Sequence, residues 1–286
     1  MRSNGRMLLD LQTLKELLFE VRGLRMSDEL SYLFGLFARV LSRRLLGLST
    51  LPTGYFLFKD TILTLTYKEG CKFLCQAGTD ELLHVMPYFE QDTWKKIKSL
   101  VKPGDVCIDV GAHIGVYTIP LARIVGSDGL VVAVEPSPLK QVLSLNIRLN
   151  KLQNVVIIGK AAYSERKLLN LYFNPLKTGI SSLNKNWMEE SSAISLRVEA
   201  IPLDELWTEI GYRPKCVKLL KVDVEGAEVE VLRGARNTLK IIKHVVFEAG
   251  KQKYRICEEI LSSAGFKVEL LERSPIGLHN YLATKQ

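Results

Sequence analysis

Cysteine is scarce, long apolar runs are missing, and positive charge never gathers into a block. The five cysteines (Cys71, Cys75, Cys107, Cys216 and Cys257) are too few, and odd in number, for a disulfide-stapled secreted scaffold. A reducing compartment is the reading, with Cys107 and Cys216 as small apolar residues inside strand-like runs. "CKFLC" has only a three-residue gap and no histidine nearby, which argues against a metal site there. The opening, "MRSNGRMLLDLQTLKELLFEVRG", does not follow the order of basic start, unbroken apolar run and small-residue cleavage site that a secretory signal needs. A cytoplasmic location is therefore expected.

The formal net charge of +8 raises the question of nucleic acid. Lysines and arginines are spread along the chain with no block longer than a pair, and no zinc-finger, RRM or helix-turn-helix signature accompanies them. No specific nucleic-acid partner follows. Residues 30–48, "LSYLFGLFARVLSRRLLGL", carry Leu33, Leu36, Phe37, Val40, Leu41 and Leu45 at helical spacing, while Arg39, Arg43 and Arg44 interrupt any span of bilayer length. An amphipathic helix packed on the main domain or on a partner subunit is expected. A peripheral membrane-surface helix is the alternative.

Apolar residues make up 47% of the 286 positions, enough for a sizeable core. From residue 100 onward strand-like and helix-like stretches alternate: "DVCIDVG", "VYTIPLARIVG", "LVVAVEP", "SPLKQVLSLNIRLN" and "NVVIIGK". "KLLNLYFN" and "ISLRVEAIP" read as half-exposed strands around the loop "GISSLNKNWMEESS". Alternation then resumes through "CVKLLKVDVEG", "AEVEVLRGARNTLK", "IKHVVFEAG" and "YRICEEILSSAG", and "FKVELLERSPIGLHNYLATK" closes as a hairpin. The fold expected is α/β: a doubly wound, Rossmann-like, mostly parallel seven-stranded sheet with a C-terminal antiparallel edge strand. Residues 1–80 form a mainly helical N-terminal extension in this reading, and 81–286 the main domain.

Ligands of such sheets sit beyond the carboxyl ends of the strands. "CIDVGAHIGVYT" lies at that end of the first core strand, where Gly111 and Gly115 allow a tight turn before a helix. Glu135, closing "VVAVE", is placed to accept hydrogen bonds from ribose hydroxyls. The loop does not read G-x-G-x-x-G, and the bulk of His113 argues against a pyrophosphate, so an NAD enzyme is disfavoured. Asp109 would repel phosphate and favour a cation. S-adenosylmethionine, with its ammonium and sulfonium, suits that charge.

These residues carry a resemblance. "DVGAHIGVYT", "AVEPSP", "ISSL", "PLDEL", "LLKVDVEGAEVEVLRGA" and "VVFEAG" resemble, in order and spacing, the FkbM-type methyltransferases of the class I S-adenosylmethionine-dependent fold, over about residues 85–272. The resemblance implies O-methyl transfer to a hydroxyl of a sugar, glycoconjugate or other natural product. It implies cofactor contacts from Asp109, Gly111, Ala112, His113, Gly115 and Glu135, with His113 standing where the family usually has Asn.

Deprotonating an alcohol calls for a general base, a metal or both. "VDVEGAE" supplies Asp223, Glu225 and Glu228 at a strand end, and Glu248 ends "HVVFE" at the same sheet edge. Asp223, Glu225 and Glu248 are the catalytic candidates, and Asp223 with Glu248 could hold Mg²⁺, although no spacing demands a metal. Glu228 has an equally good account as a helix-start acid, and His244 reads as packed or surface. Two other functions stand: an N- or protein methyltransferase of the same fold, and a non-catalytic cofactor-binding module.

Overall fold

The computed structural model describes residues 17, 19–46, 53–183, 193–275 and 277–286. Most of the opening segment and most of the serine- and asparagine-rich loop lie outside them. The chain divides into two compact units, Met1–Gln91 and Asp92–Gln286.

The first unit contains strand β1 (Val21–Gly23), helix α1 (Met26–Leu46), strands β2 (Thr61–Leu65) and β3 (Cys71–Cys75), and the short helix α2 (Glu81–His84). It is not purely helical, because its three strands form an antiparallel sheet in the order β1-β2-β3. In β2 and β3 alternate side chains are buried, which places Cys71 and Cys75 on one covered face. Nothing in α1 is long and apolar enough to cross a membrane. Of the apolar positions singled out in it, Leu33, Phe37 and Leu41 are exposed and Leu36 is half-buried, while the side chains of Val40 and Leu45 lie outside the described residues.

The second unit opens with helix α3 (Gln91–Leu100) and then alternates as the sequence suggests: β4 (Val106–Val110), α4 (Thr118–Val125), β5 (Leu130–Val134), α5 (Leu139–Leu149) and β6 (Val155–Ile158). A side sheet interrupts, made of β7 (Ala161–Ala162), β8 (Lys167–Phe173) and β9 (Ile194–Ile201) in the order β7-β9-β8. Helix α6 (Leu203–Glu209), β10 (Val217–Val222), the helices α7 (Glu228–Arg233) and α8 (Thr238–Ile241), β11 (Ile242–Gly250), α9 (Lys251–Ser263), β12 (Phe266–Glu272) and β13 (Leu278–Lys285) complete it. The main sheet has seven strands in the order β12-β13-β11-β10-β4-β5-β6. Its antiparallel strand is β13, which lies one place in from the edge, between β12 and β11.

Three local readings are refined. The stretch 227–240 is two helices rather than one, because at Gly234 the backbone approaches its neighbours so closely that a Cβ would stand 2.0 Å from the Tyr163 carbonyl. Asp204 of "PLDEL" then starts the second helix by accepting the N–H groups of Asn237 at 3.0 Å and Thr238 at 2.7 Å. Cys107 is buried in β4, but Cys216 precedes β10 and is exposed. The core beneath the site is built from fully buried β4, β5 and β10 residues such as Ile108, Val132 and Leu220. That burial explains why these strands read as predominantly apolar runs.

Candidate active site

The end of β4 is the first piece. Gly111 turns the chain with φ +81°, and a Cβ there would lie 1.6 Å from the Asp223 carbonyl, so only glycine lets the β4 and β10 ends meet. The N–H groups of Gly111 and Ala112 both donate to the Val134 carbonyl, at 3.0 and 3.2 Å. His113 takes a left-handed φ of 54° and donates its N–H to Glu135 Oε2 at 2.8 Å. Three successive N–H groups are therefore turned to β5 and its end rather than to a phosphate. Gly115 closes the turn on Ala112, and Asn146 of α5 pins it by donating to the Ile114 carbonyl at 2.9 Å. The helix α4 starts at Thr118, later than the sequence suggests, and Thr118 Oγ1 donates to Asp109 Oδ2 at 2.6 Å.

The buried acids beside this turn suit the donor molecule. Asp109 Oδ1 is fully buried and has no hydrogen-bond partner, so a cationic donor group brought beside it would satisfy it. Burial pushes the Asp109 carboxyl up, while Lys221 and Thr118 hold it down. Glu135 accepts one backbone N–H on each oxygen, from His113 and from Ser137 at 2.9 Å, which leaves lone pairs for ribose hydroxyls. Its carboxyl is also raised by burial and restrained by those hydrogen bonds. Glu135 thus also holds the turn after β4 in place, which the sequence did not disclose.

One strand over, β10 pairs in parallel with β4 and sets Lys221 opposite Asp109. Lys221 is buried, donates from Nζ to Asp223 Oδ2 at 2.8 Å, and stands 4.4 Å from the centre of the Tyr117 ring. Asp223, Glu225 and Glu248 each offer a carboxylate oxygen, and those atoms lie within 4.8 Å of one another. All three could share a divalent cation, Glu225 included. Burial, then Asp223, Glu248 and Glu228, push the Glu225 carboxyl up to about 9. Glu225 also sits at a left-handed φ of 47°.

Glu228 behaves as a structural acid. It is buried and accepts the Gly226 N–H at 2.6 Å, and Lys253 stands 3.7 Å away while donating to the Gly226 carbonyl. His244 is packed in β11, pairs with Thr284 Oγ1 at 3.1 Å, and is held below its ordinary value by burial and Lys218.

Two contacts went unforeseen. Lys221 could have been found, because a lysine inside the apolar run "VKLLKV" needs a partner when the strand is covered on both faces. The other is the loop of the "ISSL" motif: Thr178 Oγ1 pairs with His113 Nε2 at 2.8 Å, and Ser182 Oγ donates to the Glu225 carbonyl at 2.6 Å. That loop touches both halves of the site.

A glycine turn at the carboxyl end of β4 in a mostly parallel sheet, with the buried acids Asp109 and Glu135 beside it, is the arrangement of an S-adenosylmethionine-dependent methyltransferase fold. Residues 109–272 match the Methyltransferase FkbM domain, more than half of the chain, and the protein belongs to that family. It is 30% identical over 171 residues to the hexuronic acid methyltransferase AglP of Haloferax volcanii, covering 56% of this chain and 62% of that protein. It is 29% identical over 181 residues to Methyltransferase 1 of Beauveria bassiana, covering 56% and 72%. A solved S-adenosylmethionine-dependent O-methyltransferase from Thermotoga maritima is similar at a TM-score of 0.44 and 17% identity, over 79% of this chain and 78% of that one. The chain therefore spans less than two thirds of the length of AglP.

Proposed function

We propose that this chain methylates a hydroxyl group of a sugar, glycoconjugate or other natural product, with S-adenosylmethionine as donor. The observation that carries the reading is the cluster Asp223, Glu225 and Glu248, held within 4.8 Å beside the cofactor turn. When bound, S-adenosylmethionine supplies a methyl group made electrophilic by its sulfonium. Asp109 and Glu135 would hold its cationic and ribose ends.

The chain's own residues do the remaining work. Lys221 fixes the Asp223 carboxylate by a charge-assisted hydrogen bond of 2.8 Å, which leaves the other oxygen to accept the acceptor hydroxyl and take its proton. Glu225, its carboxyl pushed up by burial and then by the neighbouring acids Asp223, Glu248 and Glu228, can donate a hydrogen bond to the same acceptor in its protonated form. If Mg²⁺ occupied the three carboxylates it would polarise that hydroxyl instead. The name of AglP supports an acidic-sugar acceptor.

The test is mass spectrometry of glycans bearing hexuronic acids, neutral sugars and amino sugars after incubation with protein and methyl-labelled donor, with and without EDTA. Label on a sugar oxygen is expected. Label confined to an amine or a protein side chain would favour the N- or protein-methyltransferase reading, and cofactor binding with no label on any acceptor would favour a binding module.

A further inference from the structure

Helix α1 has its polarity reversed. Among its described side chains the buried positions are Asp28, Ser31, Tyr32, Gly35 and Ser42, spaced along one face and mostly small or polar. They are satisfied there: Tyr32 donates to the Leu17 carbonyl at 2.8 Å, Ser42 donates to the Arg39 carbonyl at 2.9 Å, and Asp28 pairs with Lys59 at 2.7 Å. The exposed face carries Met26 (82% exposed), Leu30 (56%), Leu33 (37%), Phe34 (52%), Phe37 (64%) and Leu41 (43%). At 3.6 residues per turn these six fall within about 100° of arc and along about 22 Å of helix. Phe58, also exposed, stands edge-on to Phe34 with ring centres 5.9 Å apart and widens the strip. Helices on soluble domains show the opposite arrangement, and a continuous apolar strip marks a contact surface.

We propose that this face of α1, together with Phe58, docks the protein on an anionic lipid surface. Charge selects the occupant. The acids near the strip are engaged: Asp28 by Lys59, Glu29 by Arg22 at 3.5 Å and by the Gly23 N–H, and Asp60 by the Ala77 N–H at 2.9 Å. Basic residues stand at the start of the strip, where Arg25 and Arg22, the latter paired with Glu29, are exposed just before the helix; Arg39 donates to Tyr88 at 3.2 Å, and Arg43 and Arg44 follow it in the helix's last turns. An apolar strip headed by exposed arginine complements acyl chains beneath phosphate headgroups. A fluid surface also accepts the rounded side of one helix without a matching groove. The helix is not apolar enough to cross the bilayer, in keeping with lying along its surface.

The full-length protein should be sedimented with vesicles of phosphatidylcholine alone and of phosphatidylcholine mixed with phosphatidylglycerol. Binding to the anionic vesicles is expected, weakened about tenfold by omitting phosphatidylglycerol or by raising salt well above physiological strength. The double variant Phe34→Ser/Phe37→Ser should bind about tenfold or more weakly, because two large apolar side chains no longer enter the interface. Its thermal melting should match the parent's, since both side chains are exposed. Arg25→Gln should lose about fivefold. A parent left in the supernatant with anionic vesicles would overturn the proposal, as would a double variant that binds like the parent. Sedimentation velocity showing a parent dimer that the double variant turns into a monomer would assign the face to a second copy of this chain instead.

Discussion

The β4 and β5 ends and the β10 and β11 ends carry the same kind of side chain in opposite settings. Asp109 and Glu135 are each met by fixed donors, namely Thr118 Oγ1 and the N–H groups of His113 and Ser137. Asp223, Glu225 and Glu248 instead face one another, with the buried Lys221 bonded to Asp223. Carboxylates held by fixed donors keep one geometry and suit binding. Carboxylates crowded together compete for protons, which is the condition for accepting one from a substrate or for sharing a cation.

The comparison breaks most sharply at Asp223. Asp223→Asn keeps the shape and removes the charge of the proposed base, so turnover should fall about 10²–10⁴-fold at unchanged fold, measured as initial rate on the true acceptor. On the other side, Glu135→Ala removes the proposed ribose acceptor and the anchor of the His113 N–H together. Calorimetry should show binding of S-adenosylhomocysteine weakened by ~1.5–3 kcal/mol.

Much of this was legible beforehand, for a physical reason. Strands largely covered on both faces are mostly apolar, so β4, β5, β10 and β11 stood out, and the acids at or near their ends were conspicuous. The break at Gly234 was not visible, because it depends on the approach of Tyr163, distant in sequence. Nor was the outward turn of α1: helical spacing shows that a stripe exists, not which side is covered. Lys221 was passed over as one more basic residue, although its place in β10 is what ties the two halves of the site together.

Glu225 sharpens the contrast through pH. Its carboxyl is raised to about 9 in the folded protein, against an unfolded value near ~4.3. A group shifted this way stabilises the fold fully below its unfolded value, and the contribution is lost as pH rises through the folded value. The melting temperature of the parent should therefore decline between about pH 5 and pH 9, and Glu225→Gln, which mimics the protonated acid, should flatten that decline. A variant whose profile keeps the parent's slope would remove Glu225 from the crowded set. The smallest effect is expected at Glu228. Glu228→Gln retains an oxygen for the Gly226 N–H and should cost only about 0.5–1 kcal/mol of stability by denaturant titration, with turnover little changed.

The division of labour between the two strand pairs is tested most directly by titrating S-adenosylhomocysteine into Asp223→Asn in a calorimeter, beside the parent and Glu135→Ala. The account predicts parent-like affinity for Asp223→Asn and a loss confined to Glu135→Ala. An Asp223→Asn protein that bound as weakly as Glu135→Ala would contradict it, because the β10 end would then belong to donor binding.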